Sequence, residues 1–126
     1  EYLDLTSGIG VNCLGHNHPV LVDAIQKQVA TLMECSNLYY SKPMVDAAKK
    51  LVEYTGLSKV FFSNSGAEAN EGMIKLARKY SYDKYGAGRD VIITLKQSFH
   101  GRTITTLKAT GQEKFHQYYF LCILQH

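Results

Sequence analysis

The chain predicts an α/β fold, and three observations in its second half carry that prediction. Lys59-Val60-Phe61-Phe62-Ser63 is a short β-prone run. Asp90-Val91-Ile92-Ile93-Thr94-Leu95 is continuously apolar at its centre, as a buried parallel strand is. Between them, Asn64-Ser65-Gly66 leads into a stretch whose apolar stripe Ala69, Met73, Ala77 and Tyr80 has helical spacing, and Gly86-Ala87-Gly88 ends it. Strand, helix, strand in that order is a βαβ unit. Its two strands are expected to be parallel neighbours joined by a right-handed crossover.

The first half reads as a strand, a turn and two helices. Residues 2–5 alternate apolar and polar, which predicts a short strand. Ser7-Gly8-Ile9-Gly10-Val11-Asn12 places glycines where a sharp backbone path needs them. Pro19 opens a helix without cost, because its missing N–H would have no partner there. Leu21, Ile25, Val29 and Leu32 then fall on one helical face. A second helix is expected to start near Ser41 and Pro43 and to close at Gly56, with Val45, Ala48, Leu51 and Val52 inward. No internal repeat or low-complexity segment interrupts the pattern.

Composition excludes several function classes. The 126 residues are 45% hydrophobic and 20% charged, which is ordinary for a soluble globular protein. The net charge of +3 comes from positive residues scattered along the chain, so neither a nucleic-acid nor a membrane surface is indicated. No apolar stretch approaches the roughly 20 residues that span a bilayer, and Glu-Tyr-Leu-Asp-Leu is not the start of a signal peptide. The three cysteines, Cys13, Cys35 and Cys122, cannot all pair, and so sparse a set suits a reducing cytoplasm. Opening on Glu1 without methionine, the chain is expected to be a piece of something longer or a processed product.

The first informative chemistry lies at Ser65-Gly66-Ala67. Gly66 lets the backbone approach a ligand closely, and the residues that follow open a helix whose first N–H groups lack intrahelical partners. With the positive end of the helix dipole, those groups form a phosphate seat, and the Ser65 hydroxyl adds a donor. A blander role fits the same spacing: Ser65 caps the helix, and Glu68, three residues on, completes a capping box. Spacing alone favours the cap. A nucleophile elbow is weaker than either, because Gly-x-Ser-x-Gly needs glycine at position 63 and Ser63 stands there.

His16 and His18, with Cys13 nearby, invite a metal reading. One-residue spacing does not aim both rings at one ion, and no second cluster has ligand spacing, so no metal is expected.

Read together, the residues point further. Ser65-Gly66-Ala67-Glu68-Ala69-Asn70 resembles the phosphate-cup motif of the class-III subgroup of fold-type-I aminotransferases. Ser98-Phe99-His100-Gly101-Arg102-Thr103 resembles a second motif of that subgroup, placed after the next predicted strand. The opening Leu3-Asp4-Leu5-Thr6-Ser7-Gly8-Ile9-Gly10-Val11-Asn12, with Leu14-Gly15-His16-Asn17-His18-Pro19, is similar to the family's N-terminal segment. Ser36-Asn37-Leu38-Tyr39-Tyr40 fits the acetylornithine type. Four segments in family order make the likeness specific over residues 1 to about 120.

The resemblance implies a domain layout and a chemistry. Residues 1–45 would be the N-terminal arm and small-domain segment, residues 46–120 the start of the large cofactor-binding domain, and residues 121–126 an atypical tail. The cofactor would be pyridoxal 5'-phosphate. Its phosphate would sit on the backbone N–H groups of Gly66 and Ala67, beside Ser65, and its ring would stack against Phe99. Arg102 would grip a substrate carboxylate, a task suited to its rigid, permanently charged fork. The implied reaction moves an amino group from N-acetylornithine, or a close ω-amino relative, to 2-oxoglutarate in a homodimer, with residues 1 to about 40 at the interface. Succinylornithine and 4-aminobutyrate enzymes are near neighbours. None of the eleven lysines here matches the family's cofactor-anchoring lysine, which lies further along in the family. Alone, the chain is therefore expected to be inactive, and a non-catalytic truncated remnant is the rival reading.

Overall fold

A computed structural model describes residues 2–117, and the chain divides into two compact units, Glu1–Leu57 and Ser58–His126. The atypical tail at residues 121–126, and Cys122 with it, lies outside the described residues.

The first unit is built from one short turn and two helices. Asp4 gathers the entry to the turn: its Oδ1 accepts from the Thr6 N–H at 2.9 Å, the Thr6 hydroxyl at 2.9 Å and the Ser7 N–H at 3.0 Å. These hydrogen bonds, those from Thr6 first, hold the exposed Asp4 carboxyl below its ordinary pKa. The turn α1 (Ser7–Gly10) is left-handed, with φ of 48° at Ser7, 61° at Gly8, 64° at Ile9 and 78° at Gly10. The predicted glycines thus occupy two of its four left-handed positions, and Ser7 and the β-branched Ile9 occupy the costly ones. The strand predicted at residues 2–5 does not form.

Both predicted helices of this unit are present. Helix α2 (Pro19–Thr31) begins on its proline. Helix α3 (Lys42–Thr55) is capped by Ser41, whose side chain accepts from the Met44 N–H, and it closes at Gly56 with φ 71°. An αL glycine at that position lets the chain leave the helix without a Cβ clash. The faces expected to point inward are only partly covered: Leu21, Ile25, Val29, Val45 and Leu51 remain exposed.

In the second unit, α4 (Gly66–Tyr85) starts and stops where predicted, with Ser65 and Gly86 as its caps. Its covered face differs from the predicted stripe. Met73 and Tyr80 are exposed, whereas Ala67, Asn70, Glu71 and Ile74 are partly covered. Phe61 lies on this helix at Gly72, where an added Cβ would meet its ring at 2.9 Å. A short helix, α5 (Ile104–Ala109), and a 3₁₀ turn (Glu113–Phe115) follow.

The α/β expectation is not met among the described residues, which contain no strand. Residues 59–63 and 90–95 form neither strand nor helix, and no backbone hydrogen bond joins them, so they are not paired neighbours. A β-prone sequence supplies extended backbone; a strand also needs a neighbour to take its N–H and C=O groups, and these segments do not serve one another. The second is instead tethered at its start, where Arg78 Nε and Ser81 Oγ each donate at 3.0 Å to the carbonyls of Asp90 and Arg89. Val91, Ile93 and Leu95 are 81%, 90% and 80% exposed, and no large apolar side chain is buried among the described residues.

Candidate functional site

The site residues predicted from sequence sit on two segments, the start of α4 and the loop from Ser98 to Thr103. Ser65 does what a cap does: its hydroxyl oxygen accepts from the Glu68 N–H at 3.2 Å. The Glu68 carboxylate turns back to accept from the Asn64 N–H at 2.7 Å, one residue before the cap itself. The cap thus uses the lone pairs of the Ser65 hydroxyl. Glu68 and Ala69 donate to Ser65, which leaves the Gly66 and Ala67 N–H groups without an acceptor among the described residues. Nothing lies within 4 Å of a Cβ built on Gly66. Two free donors at the positive end of a 20-residue helix, next to open space, suit an anion with several acceptor oxygens.

The second segment is pressed onto that helix end. Gly101 has φ 127°, and a Cβ placed on it would come within 2.6 Å of the Ala67 Cβ and 2.7 Å of the Thr106 hydroxyl. Only glycine satisfies both the backbone angle and the approach. Asn70 Nδ2 donates to the His100 carbonyl at 2.8 Å, and the Thr103 hydroxyl donates to Glu71 Oε1 at 2.5 Å. That hydroxyl is the main reason the Glu71 carboxyl sits below its ordinary pKa, since the bond favours the charged form.

Beneath the loop lies a threonine cluster that the sequence reading did not single out. Thr106 and Thr110 are fully buried. The Thr106 hydroxyl accepts from the Thr103 N–H at 3.0 Å. Thr110 Oγ1 accepts from the His100 N–H at 3.0 Å and lies 2.9 Å from the Thr106 carbonyl and 3.2 Å from that of Gly101. The loop is closed by Gln97 and Gly111: the Gln97 N–H donates to the Gly111 carbonyl at 2.7 Å, and the Gly111 N–H to the Ser98 carbonyl at 3.0 Å. The available signal was Thr103-x-x-Thr106-x-x-x-Thr110, a cap followed by an i, i+4 threonine pair.

Phe99 and Arg102 flank Gly101 in this loop. Phe99 is 54% exposed, and its ring meets that of Phe115 in a tilted pair, centroids 5.8 Å apart. It is not a buried core phenylalanine. Arg102 is exposed, and no carboxylate among the described residues is in ion-pair range of it. The structure thus joins the two motifs through Ala67 and Gly101. A separate depression of about 440 Å³ lies between α4 (Ile74, Arg78), the segment at residues 90–95 (Ile92, Thr94) and α5 (Thr105, Lys108), and none of the five predicted site residues lines it. His16, considered above for metal, lies 3.3 Å from Asp4 Oδ2, and no metal-sized cluster of ligating side chains occurs among the described residues.

Comparison with known proteins agrees with the motifs. The family model for class-III aminotransferases matches residues 1–125. The chain is 59% identical over 120 residues to an acetylornithine aminotransferase of Haemophilus ducreyi, covering 95% of the chain and 30% of that protein. It is 50% identical over 119 residues to a succinylornithine transaminase of Photorhabdus laumondii, covering 94% of the chain and 30% of that protein. In three dimensions it resembles the crystal structure of an adenosylmethionine-8-amino-7-oxononanoate aminotransferase from Methanocaldococcus jannaschii. That match has a TM-score of 0.88 at 36% identity, over 94% of this chain and 28% of the other. The chain thus spans about 30% of the length of the curated relatives it matches.

Proposed function

Because the chain belongs to the class-III aminotransferase family, we propose that the whole protein is a pyridoxal-phosphate-dependent aminotransferase that moves the terminal amino group of N-acetylornithine to 2-oxoglutarate. The observation that carries this reading is the seating of Gly101 on Ala67. It places the two unpaired amides at the start of α4 and the loop bearing Phe99 and Arg102 in one neighbourhood.

The residues fit the cofactor. Gly66 and Ala67 would hold its phosphate through their N–H groups, and the open space over Gly66 is the space a phosphate needs. The Ser65 hydroxyl can still donate its own proton while its oxygen caps the helix. Phe99 presents an aromatic face that would orient the ring without competing for protons. When bound, pyridoxal phosphate supplies an electron sink that lets an amino group leave one carbon and join another. Arg102, exposed and permanently charged, would clamp the carboxylate of the donor or acceptor in two-pronged fashion, fixing which end of the molecule faces the cofactor.

The succinylornithine reaction is the second reading, supported by the 50% identical relative that carries that name. The two donors differ only in the acyl group. A homodimer with residues 1 to about 40 at its interface is part of the proposal, and the exposure of Leu3, Leu5, Ile9, Val11, Leu38 and Tyr40 supports it. We place the reaction in the cytoplasm, which accords with free thiols at Cys13 and Cys35 among the described residues.

The test is to load the whole protein with pyridoxal phosphate and compare kcat/KM for N-acetylornithine, N-succinylornithine and 4-aminobutyrate, with 2-oxoglutarate as acceptor. The acylated ornithines should be favoured by at least about tenfold over 4-aminobutyrate, whose carboxylate lies at a different distance from the amine. Absence of amino transfer from all three would sink the proposal.

A further inference from the structure

We infer that Asn70 and Glu71 are positioning residues that clamp the loop carrying Phe99 and Arg102 onto the start of α4; this rests on the aminotransferase reading given above. The two side chains leave α4 about one turn after Gly66 and Ala67 and grip the loop on either side of Gly101. Asn70 holds the His100 carbonyl at 2.8 Å, directly after Phe99. Glu71 holds the Thr103 hydroxyl at 2.5 Å, directly after Arg102. Gly101, between the two grips, has the backbone freedom that would otherwise let Phe99 and Arg102 drift independently of the phosphate seat.

Several observations distinguish a clamp from incidental surface contacts. Asparagine is a poor helix former, because its side chain competes for backbone groups. Asn70 nevertheless occupies the second turn of α4, with its amide committed to a carbonyl 30 residues away. The Glu71 bond spans 32 residues. The gripped hydroxyl is itself 2.6 Å from the Thr106 hydroxyl, so Glu71 reaches through Thr103 into the fully buried threonine pair under the loop. Neither residue needs to touch substrate or cofactor. Each would act by fixing where Phe99 and Arg102 stand, and site geometry of that kind is held by residues around the reacting groups.

The clamp is tested in the whole protein with two independent readouts. Without cofactor, amide hydrogen exchange across residues 99–103 should accelerate by about tenfold or more in Asn70→Ala and in Glu71→Ala, while exchange along the rest of α4 stays within about twofold. Glu71→Gln keeps a carbonyl oxygen for the Thr103 hydroxyl and should exchange like the parent. Thr103→Val removes the same bond from the loop side, together with the Thr106 contact, and should accelerate exchange at least as much as Glu71→Ala. With pyridoxal phosphate and substrate present, the alanine variants should raise KM for the carboxylate substrate about tenfold with a smaller change in kcat, and Glu71→Gln should restore KM. Unchanged exchange at 99–103 in both alanine variants would overturn the clamp, as would equal acceleration throughout α4 and α5. Where an alanine variant does not fold, the contrast between Glu71→Gln and Thr103→Val decides. The exchange readout needs no ligand, so a protein that failed to bind pyridoxal phosphate would refute the aminotransferase reading and leave the clamp to be judged on its own.

Discussion

Gly101 and Ala67 touch so closely that a methyl group on Gly101 would stand 2.6 Å from the Ala67 Cβ. Through this one approach, a helix start with two unpaired amides and a loop with an aromatic and an arginine become one neighbourhood.

Gly101→Ala is therefore expected to be more damaging than its size suggests. The new Cβ meets Ala67 and the Thr106 hydroxyl, and φ 127° is an angle that alanine resists. A loss of roughly 1–3 kcal/mol is expected from the combined strain and clash, together with weaker pyridoxal-phosphate binding. Denaturant unfolding and fluorescence titration measure the two effects, and an unchanged midpoint would show that the junction has slack.

Gly66→Val should behave in the opposite way. Gly66 is not in the left-handed region, and nothing lies within 4 Å of a Cβ built there, so the fold should tolerate valine. The side chain would fill the space proposed for the phosphate. Affinity for pyridoxal phosphate should drop by about tenfold or more, equivalent to at least 1.4 kcal/mol, with stability nearly unchanged. Parent-like affinity would place the phosphate elsewhere.

Arg102→Lys should weaken the acidic substrate far more than the cofactor. Replacing a two-pronged charged contact with a single ammonium should cost about 1.5–3 kcal/mol, or tenfold or more in kcat/KM. Steady-state kinetics with 2-oxoglutarate is the measurement. A ratio equal to that of the parent would remove Arg102 from the site.

The acid limb of stability should contain a contribution from Glu71. The Thr103 hydroxyl holds its carboxyl below the ordinary glutamate value in the folded chain. A carboxyl with a depressed folded pKa stabilises the fold fully above its unfolded pKa and loses that contribution as pH falls through the folded value. Glu71→Gln should therefore show a shallower loss of stability on acidification, while matching the parent's loop protection near neutral pH. Following the Glu71 carboxyl carbon by NMR titration checks the direction directly, and a midpoint at or above that of a free glutamate would contradict it.

The 126-residue chain expressed alone should neither transaminate nor retain pyridoxal phosphate. Val91, Ile93 and Leu95 are exposed and no large apolar side chain is buried among the described residues, so a hydrophobic dye should bind strongly and self-association should be prominent. None of its lysines matches the family's anchoring motif, so borohydride treatment after mixing with the cofactor should label lysines sparsely and without preference. A single stoichiometrically labelled lysine with measurable amino transfer would reverse this expectation.

Local chemistry was legible without a structure wherever neighbours in sequence decide it. Ser41 and Ser65 as caps, Pro19 as a helix start, and Gly56 and Gly86 as helix ends all depend on backbone groups within a few residues. The order of the motifs likewise identified the family. The α/β expectation failed among the described residues because a strand depends on a distant partner, and no backbone hydrogen bond joins residues 59–63 to residues 90–95. Nor could spacing show which face of α4 is covered. Ala67, Asn70 and Glu71 are partly covered because the loop after Ser98 folds back upon them, with Gly101 against Ala67, His100 bonded to Asn70 and Thr103 bonded to Glu71. The sequence by itself determined the caps, the helices and the family. Only the tertiary structure decided that Asn70 and Glu71 hold the Phe99 and Arg102 loop in place, since hydrogen bonds spanning 30 and 32 residues leave no periodic trace in the chain.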